Sequence, residues 1–235
     1  MFPKFELFGE VFYSYPLVLG VIWAVGFEYS KALNKNLRHF NLLFLILFIA
    51  AWVGAKFLFL LTLDNQTVER ISFNSNFWLG GGFVFLGGLI GGLAIVALHK
   101  IYFKQNIVEY EFLILPLTLG HGLGRIGCFL AGCCYGTSCD LLWSIHLHGE
   151  NRHPVQLYEA FSLFVLFGVL RSRWRKGQSI LPIYLGSYFL LRFVLEFFRG
   201  DKIRGVFWMG LSTSQFISMA GFLCLLGWFA LRKRA

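Results

Sequence analysis

Charge is what this sequence has least of. Only 14% of its 235 residues are Asp, Glu, Lys or Arg, while 57% are hydrophobic and 19% aromatic. A soluble domain carries roughly 25% charged residues, so an ordinary soluble fold is excluded and the chain reads as an integral membrane protein. Acid is especially scarce: 12 Asp and Glu stand against 21 Lys and Arg, a formal net charge of +9. Such a basic balance raises nucleic acid as a partner, but no polar stretch is long enough to house a nucleic-acid module. No nucleic acid is expected, and the charge reads as membrane topology. Repeats, low-complexity tracts and linkers are absent, and 1–235 reads as a single domain. The first apolar run has no basic segment before it and is followed by further apolar runs, which argues against a signal peptide.

Seven apolar runs remain, at about 11–30, 41–63, 77–98, 107–127, 155–170, 180–198 and 206–231. Most reach the ~20 residues that a helix needs to cross a bilayer. The expectation is an all-α polytopic protein of seven transmembrane helices, with a Gly- and Cys-rich loop after the fourth. Alternate connections differ in cations. Lys31, Lys35, Arg38, Lys100, Lys104, Arg171, Arg173, Arg175, Lys176, Arg232, Lys233 and Arg234 fall on one side, twelve in all; Lys4, Arg70, Arg152, Arg199, Lys202 and Arg204, six, fall on the other. The positive-inside rule places the twelve in the cytoplasm, with the N-terminus outside and the C-terminus inside. Lys56, within the second run, is expected to snorkel.

The chain is organised around GHGLGRIGCFLAGCCYG, 120–136. A permanently charged guanidinium at membrane depth costs several kcal/mol unless it meets an anion or a water-filled cavity, which makes Arg125 a site candidate. Glycines at 120, 122, 124, 127, 132 and 136 suggest a non-helical turn whose backbone N–H groups approach a phosphate; close helix packing is the alternative. His121 lies four residues before Arg125, about one helical turn, and is the nearest candidate base. A second constellation, YFLLRFVLEFFR, spaces Tyr188, Arg192, Glu196 and Arg199 by four, four and three, on one helix face. Two arginines against one carboxylate leave positive charge that suits a phosphate.

In HPVQLYEA, 153–160, proline permits a helix start, with His153 at the cap and Gln156, Tyr158 and Glu159 in the first turns. Tyr15, near one end of the first run, has the place of an interfacial anchor. GGFVFLGGLIGG, 81–92, pairs glycines at spacings that let helices pack closely. Cys128, Cys133, Cys134 and Cys139 crowd into twelve residues. Their spacing is no familiar zinc pattern, although a histidine from 146, 148 or 153 would complete four ligands. An oxidising compartment favours a disulfide through Cys139.

GRIGCFLAGCCYG, RHPVQLYEA, YLGSYFLLRFVLEFFRGD and the SQFIS of 214–218, in that order, resemble the prolipoprotein diacylglyceryl transferase family, from about Tyr15 to Gln215. The resemblance implies a seven-span enzyme of the bacterial inner membrane that moves the diacylglyceryl group of phosphatidylglycerol onto the lipobox cysteine thiol of a prolipoprotein signal peptide, releasing glycerol 1-phosphate. Its partners would be those two substrates and membrane lipids, with no cofactor and no metal. The family's essential arginine falls on Arg125, its loop glycine on Gly136 and its later helical arginine on Arg192. Tyr15, His153, Gln156, Tyr158, Glu159, Glu196 and Arg199 match as well. Leu86 stands where the family has a histidine proposed as base, Cys128 where it has asparagine, and Cys133 where it has glutamate. The departures leave a second reading, a transferase-like protein acting in thiol redox, metal binding or lipid binding.

The chemistry asks for a bound phosphodiester, stabilised charge on the leaving phosphate and a deprotonated thiol. Arg125, Arg192 and Arg199 suit the first two tasks; His121 is the nearest candidate for the third, with His146, His148 and His153 as alternatives.

Overall fold

A computed structural model describes residues 4–7, 10–34, 36–64, 67–69, 77–78, 82–200 and 210–232. The hairpin β1 (Lys4–Leu7) and β2 (Glu10–Tyr13) leads into α1 (Ser14–Leu33), α2 (Phe40–Leu60) and α3 (Phe85–Phe103). A 3-10 turn, Ile107–Leu113, runs straight on into α4 (Ile114–Ala131). A second hairpin, β3 (Ile145–Leu147) and β4 (Glu150–Arg152), precedes α5 (Val155–Arg175). Then come α6 (Leu181–Leu195), tightening into a 3-10 turn at Glu196–Phe198, and α7 (Thr213–Arg232). Among the described residues seven helices are long and apolar enough to cross a membrane, and the chain is a polytopic all-α membrane protein.

Length and apolar content explain the helices. In lipid every backbone N–H and C=O must be satisfied internally, and an unbroken apolar run of about 20 residues does so only as a helix. The third span starts at Phe85 rather than 77, because Gly82 sits at φ +80 and Val84 is still extended. The fifth runs on to Arg175, beyond the expected 170. The seventh starts at Thr213, and the expected 206–209 lie outside the described residues. So do Lys35, Arg70, Lys202, Arg204, Lys233 and Arg234 of the cation count, and Gly81 of the third run.

Contacts divide the chain into two compact units, Lys4–Pro116 and Leu117–Ala235. In the first, α2 and α3 pack through glycine and alanine. A Cβ on Gly87 would fall on the Gly54 carbonyl, one on Gly91 on the Ala50 carbonyl, and one on Gly88 would lie 3.1 Å from the Ala51 carbonyl. These backbones touch, as small residues permit between membrane helices. The opposite face of α2 exposes Leu42, Leu45, Ile49, Val53 and Phe57, three or four residues apart, a stripe suited to hydrocarbon rather than water. Lys56 does not snorkel. It is fully buried, its Nζ donating to the Phe77 carbonyl and lying 4.3 Å from the Phe77 ring centre and 4.1 Å from that of Phe83. A carbonyl and two ring faces replace part of its hydration. Tyr15, on the first turn of α1, sets its ring 6.0 Å from Phe83.

In the second unit α5 has two opposed faces. Leu157, Phe161, Val165 and Val169 are exposed, whereas Glu159, Leu163, Leu166 and Leu170 are buried. Replacing Gly87 by valine should force α2 and α3 apart, because its branches would meet a carbonyl that cannot rotate away. The overpacking cost of about 1–3 kcal/mol should appear as a lower unfolding temperature in detergent, with Gly20→Val, whose site is open, as the unaffected control.

Candidate functional site

The glycine-rich stretch around Arg125 is helix. α4 continues without a break to Ala131, so Gly120, Gly122, Gly124 and Gly127 form no non-helical phosphate turn. At Gly122 the small size serves packing: a Cβ there would lie 2.7 Å from the Phe164 ring of α5. Helical continuity places His121 and Arg125 one turn apart on one face.

That face meets Glu159 of α5. Arg125 Nε lies 3.0 Å from Glu159 Oε2, His121 Nε2 3.6 Å from Oε1, and Arg192 Nη1 of α6 4.0 Å from Oε2. Arg192 Nη2 continues the ladder to Glu196 Oε2 at 2.6 Å, and Arg199 Nη1 closes it 3.9 Å from the same oxygen. The arginine side chains are 12–13% exposed and the carboxylates 3% or less. Among the described residues three guanidiniums thus face two carboxylates in a nearly dry site.

A donor and an acceptor are left over as well. Among the described residues Arg192 Nη1 makes no hydrogen bond, and Gln156 Oε1, buried, accepts none. Ser214, at the start of α7, accepts a hydrogen bond from Arg192 Nη2 at 3.1 Å. Tyr188 sets its ring 5.2 Å from that of His121 and stacks on Tyr184 at 6.0 Å.

The loop after α4 is fixed by backbone pairing. The segment at Gly136 runs between two others: Gly136 N–H donates to the His153 carbonyl at 3.1 Å, Thr137 N–H to the Phe198 carbonyl at 2.9 Å and Gly200 N–H to the Tyr135 carbonyl at 3.0 Å. Gly136 and Arg199 form an antiparallel bridge. A Cβ on Gly136 would lie 2.5 Å from the His153 carbonyl oxygen, so only glycine fits. Gln156, at the start of α5, donates from Nε2 to the Cys133 carbonyl at 2.6 Å. Cys134, in this loop, is held well below the usual thiol range by hydrogen bonds from the Cys128 and Cys133 thiols, then by the positive field of Arg125 and Arg199.

Three expectations change. The α5 cap is Pro154 rather than His153. Arg199 is not on the α6 helix: the helix ends at Leu195, and Arg199 is extended, which is how it reaches Gly136. All five cysteines are free, so the disulfide through Cys139 is not formed. His153 and Tyr158 pair with each other, Nδ1 to hydroxyl at 3.3 Å, and Tyr158 accepts from Trp143 Nε1 at 2.7 Å. Among the described residues their polar contacts run to this group rather than to the arginines. Sequence reasoning missed the parts of Ser214 and Trp143, and Trp143 carries no signal that could have revealed it.

The chain matches the family described as prolipoprotein diacylglyceryl transferase over residues 5–231. The phosphatidylglycerol–prolipoprotein diacylglyceryl transferase of Clostridium tetani is 33% identical over 240 residues, 96% of this chain and 94% of that protein. The protein named phosphatidylglycerol–prolipoprotein diacylglyceryl transferase 2 of Clostridium perfringens is 34% identical, covering 91% and 88%. A Campylobacter jejuni protein named for the same activity is 31% identical, covering 94% and 90%.

Glu159 should therefore be the residue whose loss the second unit tolerates least. Glu159→Ala leaves Arg125 buried without its carboxylate, a change that costs about 3–5 kcal/mol where a buried pair is broken from one side. The variant should unfold at a clearly lower temperature in detergent, and Glu150→Ala, whose partner Arg152 is paired to a carboxylate 55% exposed, should not.

Proposed function

The chain belongs to the prolipoprotein diacylglyceryl transferase family, and we propose that its arginine–glutamate ladder is where that chemistry is done. The protein is a multi-pass membrane transferase that moves a diacylglyceryl group from phosphatidylglycerol to a prolipoprotein. The observation that carries the site assignment is that, among the described residues, three buried guanidiniums face two carboxylates and an Arg192 N–H makes no hydrogen bond. A phosphodiester is an anion of matching charge with oxygens that accept from guanidinium donors.

In the reaction a carbon–oxygen bond of the glycerol phosphate ester breaks and a sulfur–carbon bond forms. Glycerol 1-phosphate leaves, and the thiol proton must be taken up. Arg125 and Arg192 bind the phosphate and stabilise the charge that grows on it, and Arg199 supports them from the Gly136 loop. His121 receives the proton, its Nε2 lying 3.6 Å from Glu159 Oε1 and one helical turn from Arg125. Tyr188, Gln156, Glu196 and Gly136 are assigned to substrate binding, Gln156 and Gly136 by holding the loop. Tyr15, His153 and Tyr158 are assigned to substrate binding on the family pattern. Leu86, 45% exposed on the first turn of α3, holds no proton, so the family's histidine has no counterpart there.

The acceptor is the lipobox cysteine of a signal peptide, and no nucleic acid takes part. The location is the bacterial inner membrane, the N-terminus outside and the C-terminus cytoplasmic, on the excess of cations in alternate connections. One catalytic domain over 1–235 agrees with a family match running from residue 5 to 231.

Turnover of labelled phosphatidylglycerol with a lipobox peptide tests the assignment. Arg125→Lys should lose about 10²-fold or more, since a point ammonium cannot replace a guanidinium that meets carboxylate and phosphate together; full activity would reduce Arg125 to a structural part. His121→Gln should lose about 10²-fold between pH 6 and 9, the scale for a general base. Retained activity with an unchanged pH profile would remove His121 from proton transfer.

A further inference from the structure

Three thiols meet at a point the arginine ladder does not use. α4 ends in a cap set by Gly132, at φ +72: its N–H donates to the Phe129 carbonyl at 3.1 Å, and Cys133 N–H donates to the Cys128 carbonyl at 3.1 Å. This Schellman arrangement brings the side chain three places inside the helix end against that of the second residue beyond it, a contact that is usually apolar. Here both are cysteine. Cys134 follows at φ +58, a left-handed conformation that turns its side chain back toward the other two. The three Sγ atoms all lie within 4.8 Å of one another. Cys139 is set apart, its N–H spent on the Asn151 carbonyl at 2.9 Å.

We propose that Cys128, Cys133 and Cys134 form a three-thiolate site for a thiophilic divalent cation of the zinc type, with a fourth coordination position open to an exogenous thiol. Zinc–sulfur bonds of about 2.3 Å place neighbouring ligands roughly 4 Å apart, inside the observed limit. Soft ligands select zinc or copper(I) over the hard cations. No fourth His, Cys, Asp or Glu ligand atom joins the group among the described residues. Three protein ligands with an exchangeable fourth is the pattern of zinc sites that act on a bound group rather than only hold a fold.

The surroundings suit it. A divalent ion with three thiolates carries one negative charge, and it lies one turn of α4 from Arg125, in a loop bridged to Arg199. The Gln156 bond to the Cys133 carbonyl holds the ligands in place before any metal arrives. A thiol that coordinates such an ion loses its proton outright. In the transferase the fourth position would present the acceptor cysteine as a thiolate beside the phosphate-binding arginines, but the site stands without that reading, since metal and thiol binding are measured with no lipid turnover.

The test uses the whole protein in detergent, reduced and stripped with chelator. Zn²⁺ titrated against a chromophoric competitor should bind with one equivalent per chain. Cys133→Ser and Cys134→Ser, both on the loop, should each weaken Zn²⁺ by about 100-fold or more, with Cys139→Ser unchanged and the metal-free unfolding temperature of all three kept. Cd²⁺ in place of Zn²⁺ should give a thiolate-to-metal absorption band that rises by about a third when mercaptoethanol supplies a fourth thiolate. Binding below half an equivalent, or a Cd²⁺ band that survives both loop substitutions, would overturn the site; a band indifferent to added thiol would overturn the open position. Metal and thiol binding with no diacylglyceryl product would instead count against the transferase reading and leave the metal site standing.

Discussion

Glu159 sits between two guanidiniums and an imidazole, and the second unit is arranged around that one contact. A lone carboxylate or a lone guanidinium would be expelled from so dry a place, since burying either ion costs several kcal/mol. Together they stay, but only with α4, α5 and α6 each delivering a side chain to one point. The ladder specifies the mutual placement of three helices that apolar packing alone would leave freer to slide. It does so at two levels: Glu159 ties Arg125 to Arg192, and Glu196 ties Arg192 to Arg199. Among the described residues the carboxylates number one fewer than the arginines, so the ladder holds the helices together without pairing every cation one to one.

The loop after α4 is the second constraint. Gly136 is squeezed between the His153 and Arg199 segments, and the backbone bonds on either side of it fix where Arg199 lies once the α6 helix has ended. The same loop begins with the helix cap that sets Cys128 against Cys133. One short segment therefore carries both an arginine-positioning strand and a thiol cluster, and a glycine decides each: Gly132 through its left-handed backbone, Gly136 through the absence of a side chain. The opposite use of glycine appears in the first unit, where Gly54, Gly87 and Gly91 lie within ordinary helices and bring α2 and α3 into backbone contact.

Much of this was legible in the residues. Seven apolar runs separated by polar connections can cross a bilayer only as helices, because lipid offers the backbone no hydrogen bonds, and so the sequence alone determined the number of spans and the class of fold. The spacing of Arg192 and Glu196 determined that they share a face, and the scarcity of charge made every buried arginine conspicuous. Span ends were less legible: the third starts eight residues later than hydropathy suggests, since Gly82 and Val84 are apolar enough to extend the run but hold non-helical backbone. Tertiary structure decided the rest. That Glu159 rather than Glu196 is the meeting point of Arg125 and Arg192 depends on how α5 rotates against α4 and α6, which no spacing within one helix encodes. That Gly122 serves packing rather than a phosphate turn follows from the Phe164 ring of α5 filling the space beside it. That three cysteines become one cluster depends on the sign of φ at two residues. Periodicity reports which side of a helix is apolar; what stands opposite the polar side is settled only when the helices pack.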